Sequence, residues 1–234
     1  MKSLLGALMC AVLAVMGATL AVRAGDAPPP PQGPIHVTVF YEVTPEGSVQ
    51  AGAMLRQYRE AAKAEPGATS VVIYQEEGAP TRFLTYEVWQ DMAAYQTHAK
   101  AGSTTQLAER MKAIQFAPPD ARPHAIHFAG PEGKAAKTNV TYISHLDVPP
   151  AGVPQLLEMM KPMYETAAKD KGLVTYRILR QTAGARNHFR HYEVWATDKD
   201  WENHNVAKHT QDFRRAMHPL LGTPYDQRKY TVVN

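Results

Sequence analysis

The chain has 234 residues, 25 Lys and Arg against 22 Asp and Glu, and a hydrophobic content of 44%. That suits one or two packed domains, and the absence of a basic excess speaks against nucleic acid as a partner. The single cysteine, Cys10, excludes any internal disulfide or multi-thiolate metal centre.

Taken in order, the N-terminus comes first. Lys2 precedes an apolar run from Leu4 to Val22 that ends in Val22-Arg23-Ala24, with small side chains at the −3 and −1 positions. This is the layout of a secretory signal peptide, so residues 1–24 are read as a cleaved leader and the protein as periplasmic or secreted. The run lacks the charge cluster of a retained anchor, and Ala7-Leu8-Met9 lacks the small residue expected before a lipidated cysteine. Cleavage leaves 23 basic residues against 22 acidic ones and no thiol. Residues 25–34 (GDAPPPPQGP) form a Pro-rich spacer.

From residue 35 the pattern predicts strand, helix, strand, strand, helix, strand. The first strand is HVTVFYEV. A helix over 47–65 has Ala51, Leu55, Tyr58 and Ala62 inward and stops at Pro66-Gly67. Strands over 70–75 and 82–89 flank a turn at Gly78-Ala79-Pro80 as a hairpin. Asp91 caps a helical stretch that breaks at Gly102-Ser103 and resumes with Leu107, Met111 and Ile114. A strand over 124–128 closes the unit. The same course then repeats: a strand over 139–146, and a helix over 153–171 with Leu156, Leu157, Met160, Tyr164 and Ala168 inward. Next come a hairpin over 174–180 and 188–195, a helix capped by Asp198, and a last strand over 229–233.

The copies are signed. Residues 86–98 read YEVWQDMAAYQTH and residues 192–204 read YEVWATDKDWENH, so Tyr-Glu-Val-Trp recurs 106 positions on, each followed by an aromatic (Tyr95, Trp201) and a histidine (His98, His204). We read repeat one as residues 35–130, a linker as 131–137 and repeat two as 138–234. The order βαββαβ is the ferredoxin-like unit. Its third strand is apolar on both faces, Phe83 and Trp89 on one and Leu84, Tyr86 and Val88 on the other. Such a strand is covered on both sides: by its own helices, and by the sister sheet. The expected fold is α+β, two ferredoxin-like βαββαβ repeats whose antiparallel sheets pack into one intramolecular α/β barrel.

With Glu-x-Trp ending the third strand and a histidine downstream, the chain resembles the antibiotic biosynthesis monooxygenase family, the dimeric α/β-barrel group that includes quinol monooxygenases. The resemblance covers residues 35–234. It implies a cavity between sheet and helices, a quinol or related small aromatic as substrate, dioxygen as co-substrate and no cofactor, since a deprotonated dihydroxyarene can itself pass an electron to dioxygen. No phosphate loop or dinucleotide fingerprint is present.

Candidate chemistry gathers in repeat two. His204 and His209, in HNVAKHTQDF, are candidate bases, with His191 as a third catalytic candidate; a histidine can take a phenolic proton or, charged, stabilise an oxyanion. Repeat one keeps His98 but has Ser103 in the place of His209. Trp195, Trp201, Trp89, Tyr95 and His98 are candidate substrate contacts, although a buried aromatic is as often simply core. Glu87 and Glu193 lie beside the tryptophans and either accept protons or bridge the two repeats; their presence in both copies favours the bridge. His188, Arg190, Arg214 and Arg215 add positive charge nearby. His191, Glu193 and His204 could hold a metal, but without an established ligand spacing no metal is expected. The sequence therefore points to an exported, cofactor-independent monooxygenase, with repeat two the better equipped half and a cavity beside Trp195. Its rivals are a ligand-binding barrel without turnover, a haem-binding relative and a purely structural domain. Further homodimerisation stays open.

Overall fold

The computed structural model describes residues 31–134, 136 and 138–234; the leader and most of the Pro-rich spacer lie outside them. Repeat one is built from β1 (Ile35–Glu42), α1 (Ser48–Lys63), β2 (Ala68–Glu76), β3 (Arg82–Trp89), α2 (Met92–His98), α3 (Gly102–Met111) and β4 (Asp120–Glu132). Repeat two follows as β5 (Val140–Asp147), α4 (Val153–Ala167), β6 (Leu173–Gln181), β7 (His188–Trp195), α5 (Asp198–Val206), α6 (Lys208–Met217) and β8 (Asp226–Val232). Among the described residues, no helix is long and apolar enough to cross a membrane.

The eight strands close into one barrel in the order β1-β3-β2-β8-β5-β7-β6-β4. Each repeat contributes a four-stranded sheet of order β4-β1-β3-β2 or β8-β5-β7-β6, and the sheets join at two seams. The seams differ. At β4–β6 the pairing runs from His124–Gln181 to Glu132–Thr175, so β4 extends beyond the expected 124–128 into the expected linker. At β2–β8 it covers only Tyr74–Glu76 against Tyr230–Val232.

The double-sided apolar strands explain the closure. Every residue of β3 from Phe83 to Trp89 is buried, as is every residue of β7 from Phe189 to Trp195. Tyr74, Leu84, Tyr86 and Val88 meet Ile143, Leu179, Tyr192, Val194 and Tyr230 inside the barrel. At its centre the first tyrosines of the two Tyr-Glu-Val-Trp strings stack on one another, ring centroids 4.2 Å apart and 9° from parallel. Tyr74 and Tyr192 also share a hydrogen bond of 2.8 Å between their hydroxyls. Strand alternation turns Glu87, Trp89, Glu193 and Trp195 the other way, toward the helices. The expected bridge between repeats by these glutamates is therefore not formed: the partners of Glu87 all come from repeat one, and Trp195 is the side chain that hydrogen-bonds Glu193. Tyr86 and Tyr192 join the halves instead.

Two local expectations change. Asp91 caps α2 as expected, accepting from the Ala94 N–H, but α5 is capped by Thr197, which accepts from the Asp200 N–H, and Asp198 sits in the first turn. On α4 the buried stripe is Val153, Leu156, Met160, Met163 and Ala167, so Tyr164 and Ala168 are rotated toward the edge. The numbering offset between the copies changes at a turn. The β2–β3 connection spans 77–81 and the β6–β7 connection 182–187, one residue longer. Upstream of it the copies correspond at a spacing of 105, as the left-handed glycines Gly67 and Gly172 show (φ +82° and +83°), and downstream at 106. The structural counterpart of Tyr58 is accordingly Met163.

Candidate functional site

In repeat one, α1 delivers Tyr58, β3 delivers Glu87, and the last turn of α2 delivers His98. The three make one connected set. Tyr58 donates to Glu87 Oε1 at 2.6 Å and lies 2.8 Å from His98 Nε2. His98 Nδ1 pairs with Glu65 Oε2 at 2.8 Å. Thr85 and Trp89 also donate to Glu87, at 2.9 and 3.0 Å, and the Trp89 ring stacks on His98 at 4.1 Å. Thr104 and Ser103 close the outer side, on His98 and Glu65 respectively.

This set forms one wall of a cavity of about 290 Å³ that is otherwise apolar, lined by Val39, Tyr41, Tyr95, Leu107 and Pro119 among others. It is at the small end of ligand pockets, which run from roughly 300 to 1,000 Å³. Burial works to raise the Glu87 pKa, but hydrogen bonds and charge from His98, Tyr58 and Trp89 outweigh it and hold the carboxyl below its ordinary value. Burial likewise works against a charged His98, yet Glu87 and Glu65 on either side raise its pKa above the ordinary 6.5. The site is thus an imidazole between two carboxylates, with a tyrosine hydroxyl linking it to one of them. Such an arrangement can take a proton from a bound hydroxyl and hold the resulting charges in a dry space.

Repeat two keeps the frame and fills it differently. Glu193 is fully buried, and in place of Tyr58 and Thr85 it has Met163 and His191; burial holds its pKa above the ordinary value. Where repeat one has the small Ala108, Pro119 and Ala121, repeat two has Arg214, Tyr225 and Gln227. Arg214 lies over the Tyr225 ring at 5.3 Å and donates to Gln227 at 3.1 Å, while Tyr225 donates to Ser144 at 2.8 Å. These larger side chains stand at the positions that line the cavity in repeat one, and that cavity lies beside Tyr58 and His98.

The expected residues separate accordingly. His98 and Tyr95 line the cavity, and Trp89 and Glu87 support it from the strand. His191 is buried against Phe213 and Tyr176, and burial, helped by Arg214, lowers its pKa to about 3. Trp195 is core, tilted against His204 at 4.8 Å. Trp201 stacks on Tyr142 at 3.9 Å, away from the core that receives Tyr95 in repeat one. His204 and His209 converge on Asp170, not on a cavity. The sequence reading placed Tyr58 in the core and passed over Glu65. The signal for Glu65 was the corrected spacing: Glu65 and Asp170, 105 apart, each anchor the histidine that follows their copy's Trp.

A second, larger cavity of about 520 Å³ opens at one end of the barrel, over Tyr86, Tyr192 and Arg177. Arg177 is held there by both oxygens of Glu132 and donates to the Tyr86 hydroxyl at 3.0 Å.

Comparison with known proteins agrees with this frame. The profile of the family described as "Antibiotic biosynthesis monooxygenase" matches the chain twice, at residues 34–110 and 140–216. Among solved structures, a candidate monooxygenase from Fusobacterium nucleatum superposes with a TM-score of 0.74 at 16% identity, over 86% of this chain and 93% of that one. An anthrone oxidase-like protein gives 0.69 at 12%, over 87% and 92%. A monooxygenase-like protein from Listeria innocua gives 0.55 at 13%, over 86% and 95%. At these identities the likeness is one of fold. No curated protein matches the chain in sequence.

Proposed function

The chain belongs to the antibiotic biosynthesis monooxygenase family, in a tandem arrangement, and from that premise we propose that repeat one oxidises a small electron-rich hydroxyarene, a quinol or a close relative, with dioxygen. The observation that carries this reading is the apolar cavity walled by His98, Tyr58 and Glu87. Neutral His98 accepts a proton from the bound phenol, directly or through the Tyr58 hydroxyl, and Glu65 and Glu87 stabilise the imidazolium. The phenolate passes an electron to dioxygen. Recombination places one oxygen atom on the ring and releases the other as water, so a 1,4-dihydroxyarene and O₂ give a hydroxyquinone and H₂O. The surrounding apolar side chains keep solvent from the charged intermediates.

Export after removal of residues 1–24 remains part of this proposal, resting on the N-terminal sequence alone. The test is oxygen uptake by residues 25–234 with a panel of hydroquinones. His98→Ala should lower the rate by about 10²–10⁴-fold and His204→Ala should leave it nearly unchanged. Absence of uptake across the panel, or equal activity in a His98→Ala/Tyr58→Phe double variant, overturns the reading. Tight ligand retention without product would leave a binding barrel in its place.

A further inference from the structure

The second repeat carries a cluster that the proposed chemistry does not use. Helix α5 ends at Val206 and α6 starts at Lys208, with Ala207 extended between them (φ −61°, ψ 146°). On an unbroken helix His204 and His209 would point about 140° apart, at 3.6 residues per turn. The break turns them onto one point instead. Asp170, from the turn after α4, meets them there: its Oδ2 is 2.6 Å from His204 Nδ1 and 2.9 Å from His209 Nε2. All three donor atoms lie within 4.8 Å of one another.

We propose that Asp170, His204 and His209 form a binding site for a divalent transition-metal ion of the zinc type, clamping α5 and α6 to the end of α4. Two imidazoles and a carboxylate are the donor set of open zinc sites, which keep a fourth position for water. Zinc bonds of about 2.0–2.2 Å require Asp170 Oδ2 to stand slightly farther from the two imidazole nitrogens than its present 2.6 and 2.9 Å. Asp170 and His209 can provide that movement, because their side chains are 22% and 20% exposed; the same exposure admits the ion and the water. His204 is the fixed member, buried against Trp195 with Thr210 Oγ1 3.4 Å from its ring nitrogens. On binding, the ion takes the place of the two short contacts to Asp170 Oδ2.

Repeat one is a built-in control. Its corresponding residues are Glu65, His98 and Ser103, with Ser103 Oγ 2.5 Å from Glu65 Oε1 where His209 approaches Asp170. One ligand is missing: His98 Nδ1 keeps the contact with Glu65, but Ser103 stands where His209 does, and His98 Nε2 is engaged by Tyr58 and lies 3.4 Å from Glu87. One frame thus serves a proton-transfer set in the first copy and a metal-ligand set in the second. The trio differs from the His191, Glu193 and His204 set suggested by the sequence: His191 faces Phe213 and Tyr176.

Calorimetric titration of residues 25–234 with Zn²⁺, alongside thermal melting, tests this. The expected result is one equivalent bound and a raised melting temperature. His209→Ser, which installs the residue repeat one carries, should weaken binding about 100-fold or more, since loss of even an outer-shell partner costs 10–100-fold. Asp170→Asn should do likewise, and His145→Ala, at a separate histidine pair, should bind as the wild type. Circular dichroism establishes that each variant is folded. Absence of binding at stoichiometric zinc, binding that survives His209→Ser, or several weak equivalents would each overturn the proposal.

Discussion

At the scale of single residues, the two strand glutamates show how one position can have its acidity shifted in opposite directions. Glu87 accepts from Tyr58, Thr85 and Trp89 and lies 3.4 Å from His98 Nε2, whereas Glu193 accepts from Trp195. The signs of their linkage differ. Glu87, with its pKa lowered, contributes stability that is present above the unfolded carboxyl pKa and lost as pH falls toward the folded value. Glu193, with its pKa raised by burial, contributes stability that is present below the unfolded carboxyl pKa and lost as pH rises toward the folded value. Glu87→Gln should therefore destabilise the protein at pH 7 by about 3 kcal/mol, as breaking a buried pair does. Glu193→Gln should be neutral or stabilising, the more so above the unfolded carboxyl pKa than below it. Denaturant melts of both variants at pH 5, 7 and 9 check the opposite signs. Activity provides a second measure. Because Glu87 and Glu65 raise the His98 pKa, the acid limb of kcat/KM in the proposed reaction should lie above the ordinary 6.5 and rise with pH. Glu65→Gln should move that limb to lower pH.

At the scale of elements, the two helix–sheet layers are alike in frame and unlike in filling. Ala108 on α3 and Pro119 before β4 leave room that Arg214 on α6 and Tyr225 before β8 take up. Installing both larger residues in repeat one, Ala108→Arg with Pro119→Tyr, should abolish binding of a small aromatic while the melting temperature shifts by only a few degrees. Fluorescence titration and thermal melts of the same sample separate the two effects. Much of this layer was legible in the sequence, because strand alternation and helix caps are local. The Tyr-Glu-Val-Trp string, the Asp91 cap and the break near Gly102 all carry direct signals. What was not legible is which copy is hollow. That depends on side chains distant in sequence, Pro119 and Ala108 against Tyr58, and on a one-residue difference in a hairpin turn that moves Met163, not Tyr164, into register with Tyr58. A constant spacing of 106 hides that shift, and with it the anchoring role of Glu65.

At the scale of the molecule, the halves share one interior. Tyr192 stacks on Tyr86 and hydrogen-bonds Tyr74, so each repeat packs against the other's core. Tyr192→Ala should cost about 3–5 kcal/mol, as large-to-small aromatic changes do, and lower one common unfolding transition rather than splitting it. Calorimetry that resolved two transitions, with only repeat two shifted, would contradict a shared core. The barrel itself was predictable from strands apolar on both faces; the inequality of its seams was not, since pairing length at β4–β6 and β2–β8 is set by where distant strands happen to end.

Joining both sheets in one chain has a consequence for dilution and for inheritance. A barrel assembled from two identical chains falls apart when its concentration drops below the dissociation constant, and its stability is inseparable from that concentration. Here the two sheets remain neighbours at any concentration, tethered through β4 and β5. A substitution also enters one sheet at a time, where a symmetric pair would receive it twice. That independence is what allows Tyr74 to meet Tyr192 although its own counterpart is Leu179, and what allows Ala108 and Pro119 in one frame where its twin has Arg214 and Tyr225.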